Sequence, residues 1–158
     1  MKNGIKKVLV VDDDSDDTEL TMAALRETCK DANATAISSG VEAFAYLESC
    51  AGSLHYGDAL PDLILLDVSL PMLSGLNVLR KIKQHVQLRT IPVVMLTNSI
   101  NARDIEDSYR SGVNAYVLKS NDYSKYVQAI ENICRFWLCL NEPLPAWIQQ
   151  DNPGNRPC

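Results

Sequence analysis

Asp12 and Asp13, Asp67, Thr97 and Lys119 each close a short apolar run: VLVV, LILL, VVML and AYVL. Three clustered carboxylates repel, and one of them takes a raised pKa unless a cation joins them. A hard cation such as Mg²⁺ wants oxygen ligands and keeps waters, so one or two carboxylates plus a phosphate oxygen suffice. A carboxylate can also act as a nucleophile and become an acyl phosphate. An ammonium and a hydroxyl stabilise charge on the transferring oxygens without acid–base chemistry. The set is that of phosphoryl transfer.

Taken singly, each residue has a plainer role. An Asp after a strand commonly forms a turn or caps a helix. Asp14, Asp16, Asp17 and Glu19 are read that way, as caps and dipole partners of the first helix, with Asp14 close enough to the acid pair to stay ambiguous. Thr97 could cap and Lys119 could be a solvated loop lysine. Their joint occurrence at the ends of four apolar runs is what argues for a site.

Competing motifs fail on inspection. Asp12-x-Asp14-x-Asp16 imitates a calcium loop, but its sixth and twelfth places hold Asp17 and Ala23 rather than Gly and Glu. No Gly-x-Gly-x-x-Gly follows the first run, and no phosphate-binding Gly-x4-Gly-Lys-Ser/Thr loop occurs. A Gly-x-Ser-x-Gly elbow is also missing. The five cysteines (Cys29, Cys50, Cys134, Cys139, Cys158) form no Cys-x-x-Cys pair, and His55 and His85 stand apart, so zinc is disfavoured. The cysteines are read as reduced, mostly core thiols.

Elements that would position these residues alternate along the chain. Strands are expected at 8–11, 34–37, 63–66, 93–96 and 115–118. Helices are expected from Asp16 to about Cys29, from Ser39-Gly40-Val41-Glu42 (a capping box) through Leu47, from Leu76 to His85, over 102–111 ending at Gly112, and from Asp122 to about Leu138. In the third helix Leu79, Ile82 and Val86 are expected inward, with Arg80, Lys81 and Lys83 outward. In the last, the inward stripe is Tyr123, Tyr126, Val127, Ile130, Ile133/Cys134 and Trp137. Residues 50–61 read as a long loop. Five β-α repeats with continuous apolar strands predict an α/β fold, a doubly wound parallel sheet covered on both faces. Ligands of such sheets bind outside the carboxyl ends of the strands, where the five residues converge.

Composition narrows the classes. The chain has 158 residues, 46% hydrophobic and 22% charged, which suits one soluble domain. Its net charge of −5 disfavours a nucleic-acid face. Six of the twenty acids fall between Asp12 and Glu19. No apolar run is long enough for a membrane helix or a signal peptide, so a cytoplasmic protein with no membrane partner is expected.

VLVVDDD at 8–14, PDLILLDVSLPMLSGLNVLRKIK at 61–83, IPVVMLTNS at 91–99 and AYVLKS at 115–120 resemble the signature blocks of the response regulator receiver domain of two-component signalling. The similarity covers residues 5–138. It implies a flavodoxin-like receiver fold, a five-stranded sheet of order 2-1-3-4-5, with residues 1–140 as the receiver domain. It further implies that Asp67 accepts a phosphoryl group from a sensor histidine kinase. Asp12, Asp13, Asp67 and the Ser69 carbonyl would hold Mg²⁺, and Lys119 would pair with the phosphoryl group. Thr97 and Tyr116 would form the switch. Such a protein is not an enzyme in its own right. It passes phosphate in a phosphorelay to a phosphotransfer protein, or changes its contacts with a downstream protein target.

Three features depart from minimal receivers. Ser120 stands where many have Pro, so a trans Lys119–Ser120 bond is expected. The 50–61 loop is long. The last helix runs on into FWLCLNEPLPAW. These resemble single-domain regulators that serve phytochrome-type histidine kinases, whose C-terminal extension supports a homodimer. Residues 141–158, with four prolines, read as an extended tail and dimer contact. Phe136, Cys139 and Leu140 lie off the inward stripe, to be covered either by residues 141–148 folding back or by a partner helix. Two other functions are weighed. A phosphorylation-independent scaffold or binding module would be expected to lose one of the key positions, and none is lost. An aspartyl-phosphate phosphohydrolase commonly has a second Asp two residues after the nucleophile, where this chain has Ser69.

Overall fold

The computed structural model describes residues 4–53 and 59–145. Five strands alternate with five helices: β1 Lys6–Val11, α1 Ser15–Thr28, β2 Ala32–Ile37, α2 Gly40–Ala51, β3 Leu63–Leu66, α3 Gly75–Gln84, β4 Val93–Thr97, α4 Ala102–Arg110, β5 Ala115–Leu118 and α5 Tyr123–Cys134. The strands form one sheet in the order β2-β1-β3-β4-β5. Every neighbouring pair is parallel.

Side chains alternate across a strand, so each apolar run feeds two cores. Leu9, Val11, Ile64, Leu66, Val93 and Met95 face α2 and α3. Val8, Val10, Leu63, Leu65, Val94 and Leu96 face α1 and α5. Central β3 and β4 are buried throughout, while the edge strand β2 is not. Side chains cap the helix starts: Asp14 for α1, Ser39 for α2, Ser74 for α3, Asn101 for α4 and Asp122 for α5. Gly112 follows α4 with φ +93°, the left-handed region that favours glycine after a helix.

Several local expectations are corrected. Helix α2 runs to Ala51 instead of stopping at Leu47, because Ala43, Leu47 and Ala51 continue one buried stripe. Residues 50 and 51 are thus helical, and 54–58 of the expected loop lie outside the described residues. Val86 is 66% exposed, since α3 ends at Gln84 and the helical period lapses; Leu88 fills the core instead. Lys83 is half-buried rather than outward, because the turn after α3 and the start of β5 wrap its ammonium. Tyr123, the first residue of α5, is 51% exposed. Beyond Cys134 the helix widens into a π-helix over Arg135–Leu140. There Leu138 is buried and Trp137 packs on the α1/α5 core, but Phe136 and Leu140 are exposed. Among the described residues only the Cys134 thiol is fully buried; Cys29 and Cys50 are partly so, and Cys139 is exposed. Residues 146–158 of the expected tail lie outside the described residues. Among the described residues no helix is long and apolar enough to cross a membrane.

Candidate functional site

The residues singled out by sequence sit on the next rungs of the parallel ladder. Asp12 N donates to Ile37 O at 3.2 Å, Asp67 N to Val11 O at 2.9 Å and Lys119 N to Thr97 O at 2.9 Å. The sheet's own hydrogen bonds therefore extend into the site and fix its backbone. Side chains placed this way come from elements far apart in sequence yet meet at one edge.

Asp12, Asp13 and Asp67 each bring a carboxylate oxygen within 4.8 Å of the others. Asp12 and Asp67 are buried, at 4% and 8% exposure, while Asp13 is exposed. Lys119 Nζ reaches Asp12 Oδ2 at 2.6 Å, Asp17 Oδ2 at 2.7 Å and Asp67 Oδ2 at 3.4 Å. Backbone amides help hold the acids. Asp14 N donates to Asp12 Oδ1 at 3.0 Å, and Ser69 N donates to Asp67 Oδ1 at 3.2 Å.

Burial pushes the Asp12 carboxyl above its ordinary pKa, and the Asp67 charge adds to that push. The Lys119 bond and the Asp14 amide oppose it. For Lys119, burial favours the neutral amine, but the bonds to Asp12 and Asp17 and the Asp67 charge outweigh it, so the net shift is upward. The ammonium is thus kept charged. One lysine among Asp12, Asp13, Asp17 and Asp67 still leaves an excess of negative charge. An oxygen donor set with that excess fits a hard divalent cation such as Mg²⁺.

Beside this cluster lies an open polar cleft of about 680 Å³, lined by Asp13, Asp16, Asp67, Ser69, Thr97 and Ser99 among others. Thr97 is 1% exposed, and its Oγ1 accepts from Ser99 N at 3.2 Å. Ser99 Oγ donates to Asp104 Oδ2 at 2.6 Å, and Tyr116 OH donates to Ser99 O at 2.9 Å. Thr97 and Tyr116 are therefore linked through one residue.

A family model for the response regulator receiver domain matches residues 8–131. The chain belongs to the response regulator receiver family. Response regulator Rcp1 of Synechocystis sp. is 35% identical over 136 residues, covering 86% of this chain and 91% of that protein. The crystal structure of the phosphorylated cyanobacterial phytochrome response regulator RcpA superposes with a TM-score of 0.79 at 38% identity, covering 89% of this chain and 99% of RcpA. The Mn²⁺-bound form of Rcp1 superposes with a TM-score of 0.77 at 34% identity, covering 89% of this chain and 99% of that one. The strand order agrees with the flavodoxin-like receiver fold.

In this receiver the structure brings Asp12, Asp13, Asp67, Ser69, Thr97 and Lys119 to one edge. Tyr116 stands behind, tied to Ser99. The Lys119–Ser120 bond is trans as expected, since the described residues contain no cis peptide. One member was missed. Asp17 was expected to serve α1, but its carboxylate bonds Lys119 instead. Capping falls to Asp14, whose Oδ1 accepts from Asp16 N and Asp17 N at 2.9 and 3.0 Å. The helix dipole explains acids in a first turn equally well, so charge pattern could not single Asp17 out.

Proposed function

We propose that this chain is a phosphorylation-dependent response regulator in which Asp67 is the phosphoacceptor. A carboxylate oxygen of Asp67 attacks phosphorus of a kinase phosphohistidine. The O–P bond forms as the P–N bond breaks, and the imidazole leaves and takes up a proton. The residues that would hold Mg²⁺ are Asp12, Asp13, Asp67 and the Ser69 carbonyl, and the cation would neutralise phosphoryl charge there. Lys119 pairs with the phosphoryl oxygens. Thr97 then turns toward the new group, Ser99 and Tyr116 follow, and the surface of α4, β5 and α5 changes. The observation that carries this reading is the ladder that places Asp12, Asp67 and Lys119 together at the sheet's edge.

Labelling with a small phosphodonor and Mg²⁺ tests it. The parent protein is expected to gain one phosphoryl group and Asp67→Asn none. Equal labelling of the two overturns the assignment.

The phosphodonor proposed in the cell is a phytochrome-type sensor histidine kinase, supported by the likeness to RcpA. The receiver would hand its signal to a downstream protein or a phosphotransfer protein. We assign residues 141–158 to a homodimer contact, supported by the exposed Phe136 and Leu140 at 49% and 66%. Deleting 141–158 is expected to shift sedimentation from dimer toward monomer, and a monomeric full-length chain refutes the assignment.

A further inference from the structure

We propose that Asp17 is a positioning residue that holds the Lys119 ammonium away from Asp67 until a phosphoryl group competes for it. The inference rests on the function proposed above and concerns the same lysine.

An ammonium has three N–H donors. Lys119 directs two short bonds to Asp12 and Asp17, at 2.6 and 2.7 Å, and a long contact of 3.4 Å to Asp67. Charge-assisted bonds of this kind are ordinarily about 2.7–2.9 Å. Lys119 is therefore fully engaged with two acids and only loosely with the one proposed to react. Its side chain is 4% exposed, so water does little to weaken either short bond.

The two short partners are not equivalent. Asp12 belongs to the carboxylate cluster that suits a divalent cation, and Asp17 does not. Asp12, if it held a divalent cation with Asp13 and Asp67, would have less charge to offer Lys119, and that hold would weaken. The bond to Asp17 then remains as the principal restraint. Asp17 is itself well fixed. It lies in the first turn of α1, its amide is capped by Asp14, and its carbonyl accepts from Thr21 Oγ1 at 2.9 Å. Thr21 Oγ1 in turn bonds Tyr126 OH of α5 at 2.5 Å, and both residues are buried. The first turn of α1 is thus pinned to α5, and Lys119 must come to the phosphoryl group by stretching away from Asp17.

Beryllofluoride, a noncovalent phosphoryl mimic, with Mg²⁺ gives a direct test by titration. Asp17→Asn is compared with Asp16→Asn, which removes an equal charge from the exposed side of the same cleft but at a carboxylate that is not bonded to Lys119. Asp17→Asn is expected to bind beryllofluoride about tenfold tighter than Asp16→Asn, while Asp17→Glu stays near the parent. Circular dichroism melting of each variant confirms folding. Equal affinities for the two Asn variants overturn the inference, as does weaker binding by Asp17→Asn. A parent that binds no beryllofluoride with Mg²⁺ overturns the proposed function instead.

Discussion

Lys119 Nζ lies 2.6 Å from Asp12 Oδ2 but 3.4 Å from Asp67 Oδ2. Asp67 thus receives little from the ammonium while its charge adds to the burial that raises the Asp12 pKa. Such a cluster works against folding stability. Asp67→Asn removes one repelling charge, and unfolding free energy should rise by about 1 kcal/mol. Lys119→Met leaves Asp12 and Asp67 uncompensated and should cost about 3 kcal/mol, the scale of a broken buried pair. Added Mg²⁺ should narrow that loss. Urea unfolding with and without Mg²⁺ measures all three; an Asp67→Asn protein less stable than its parent contradicts the repulsion.

The acids and the lysine were legible because continuous apolar runs mark strand ends, and a parallel sheet brings those ends to one edge. Asp12, Asp67, Thr97 and Lys119 needed nothing more. Asp17 and Lys83 were not legible. Each sits on a helix face that looks solvated in sequence, and each is claimed by a group from a distant element, Lys119 in one case and Asn114 in the other. Helical periodicity carries no information about such partners. The exposure of Val86 was missed for a related reason: it fits the inward stripe, but it lies past the helix end, which His85 N closes by bonding Lys81 O and Ile82 O.

Lys83 makes a pH prediction. Its Nζ donates to Ile91 O and Asn114 Oδ1, each at 2.9 Å, and to Arg89 O at 3.2 Å. Burial pulls its pKa from 10.5 down to about 8. Below pH 8 the lysine is charged in both folded and unfolded chains, and the burial penalty is fully present. Between about 8 and 10.5 the unfolded chain holds the extra proton, so stability rises with pH. The gain is at most about 3 kcal/mol, because the three acceptors favour the ammonium and oppose the shift. Stability of the parent relative to Lys83→Met should therefore climb from pH 7.5 toward 10. A flat difference over that range would sink the assignment.

Met72 adopts φ +62°, and its side chain is 97% exposed. A left-handed backbone costs most side chains about 1–2 kcal/mol, and no burial offsets it here. Asn tolerates that conformation better. Met72→Asn should raise stability by about 0.5 kcal/mol, read as a higher urea midpoint at unchanged slope. A lower midpoint would show that Met72 makes a contact that outweighs the strain.

Gly75 and Gly40 together set the loop that carries Asp67. A Cβ on Gly75 would collide with the Asp67 carbonyl oxygen and lie 2.9 Å from Val68 Cα. A Cβ on Gly40 would collide with the Leu73 carbonyl oxygen. Both obstacles are backbone and cannot swing aside. The starts of α2 and α3 therefore press against the loop after β3, and Gly75 N donates to Val68 O at 2.9 Å to close it. Gly75→Ala must push Asp67 and Val68 out of the ladder or push α3 away. Its expected cost is about 2 kcal/mol or more, the range of core overpacking. The loss should extend to Mg²⁺ affinity, because the Asp67 carboxylate and the Ser69 carbonyl move with that backbone. Gly52→Ala is the matched control. A Cβ there meets its nearest atom, Glu48 O, at 3.5 Å, an ordinary contact. Urea unfolding and Mg²⁺ titration of the two variants should separate them clearly. A Gly75→Ala protein with parental stability and parental Mg²⁺ affinity would mean that the loop yields freely and that glycine is not what seats Asp67.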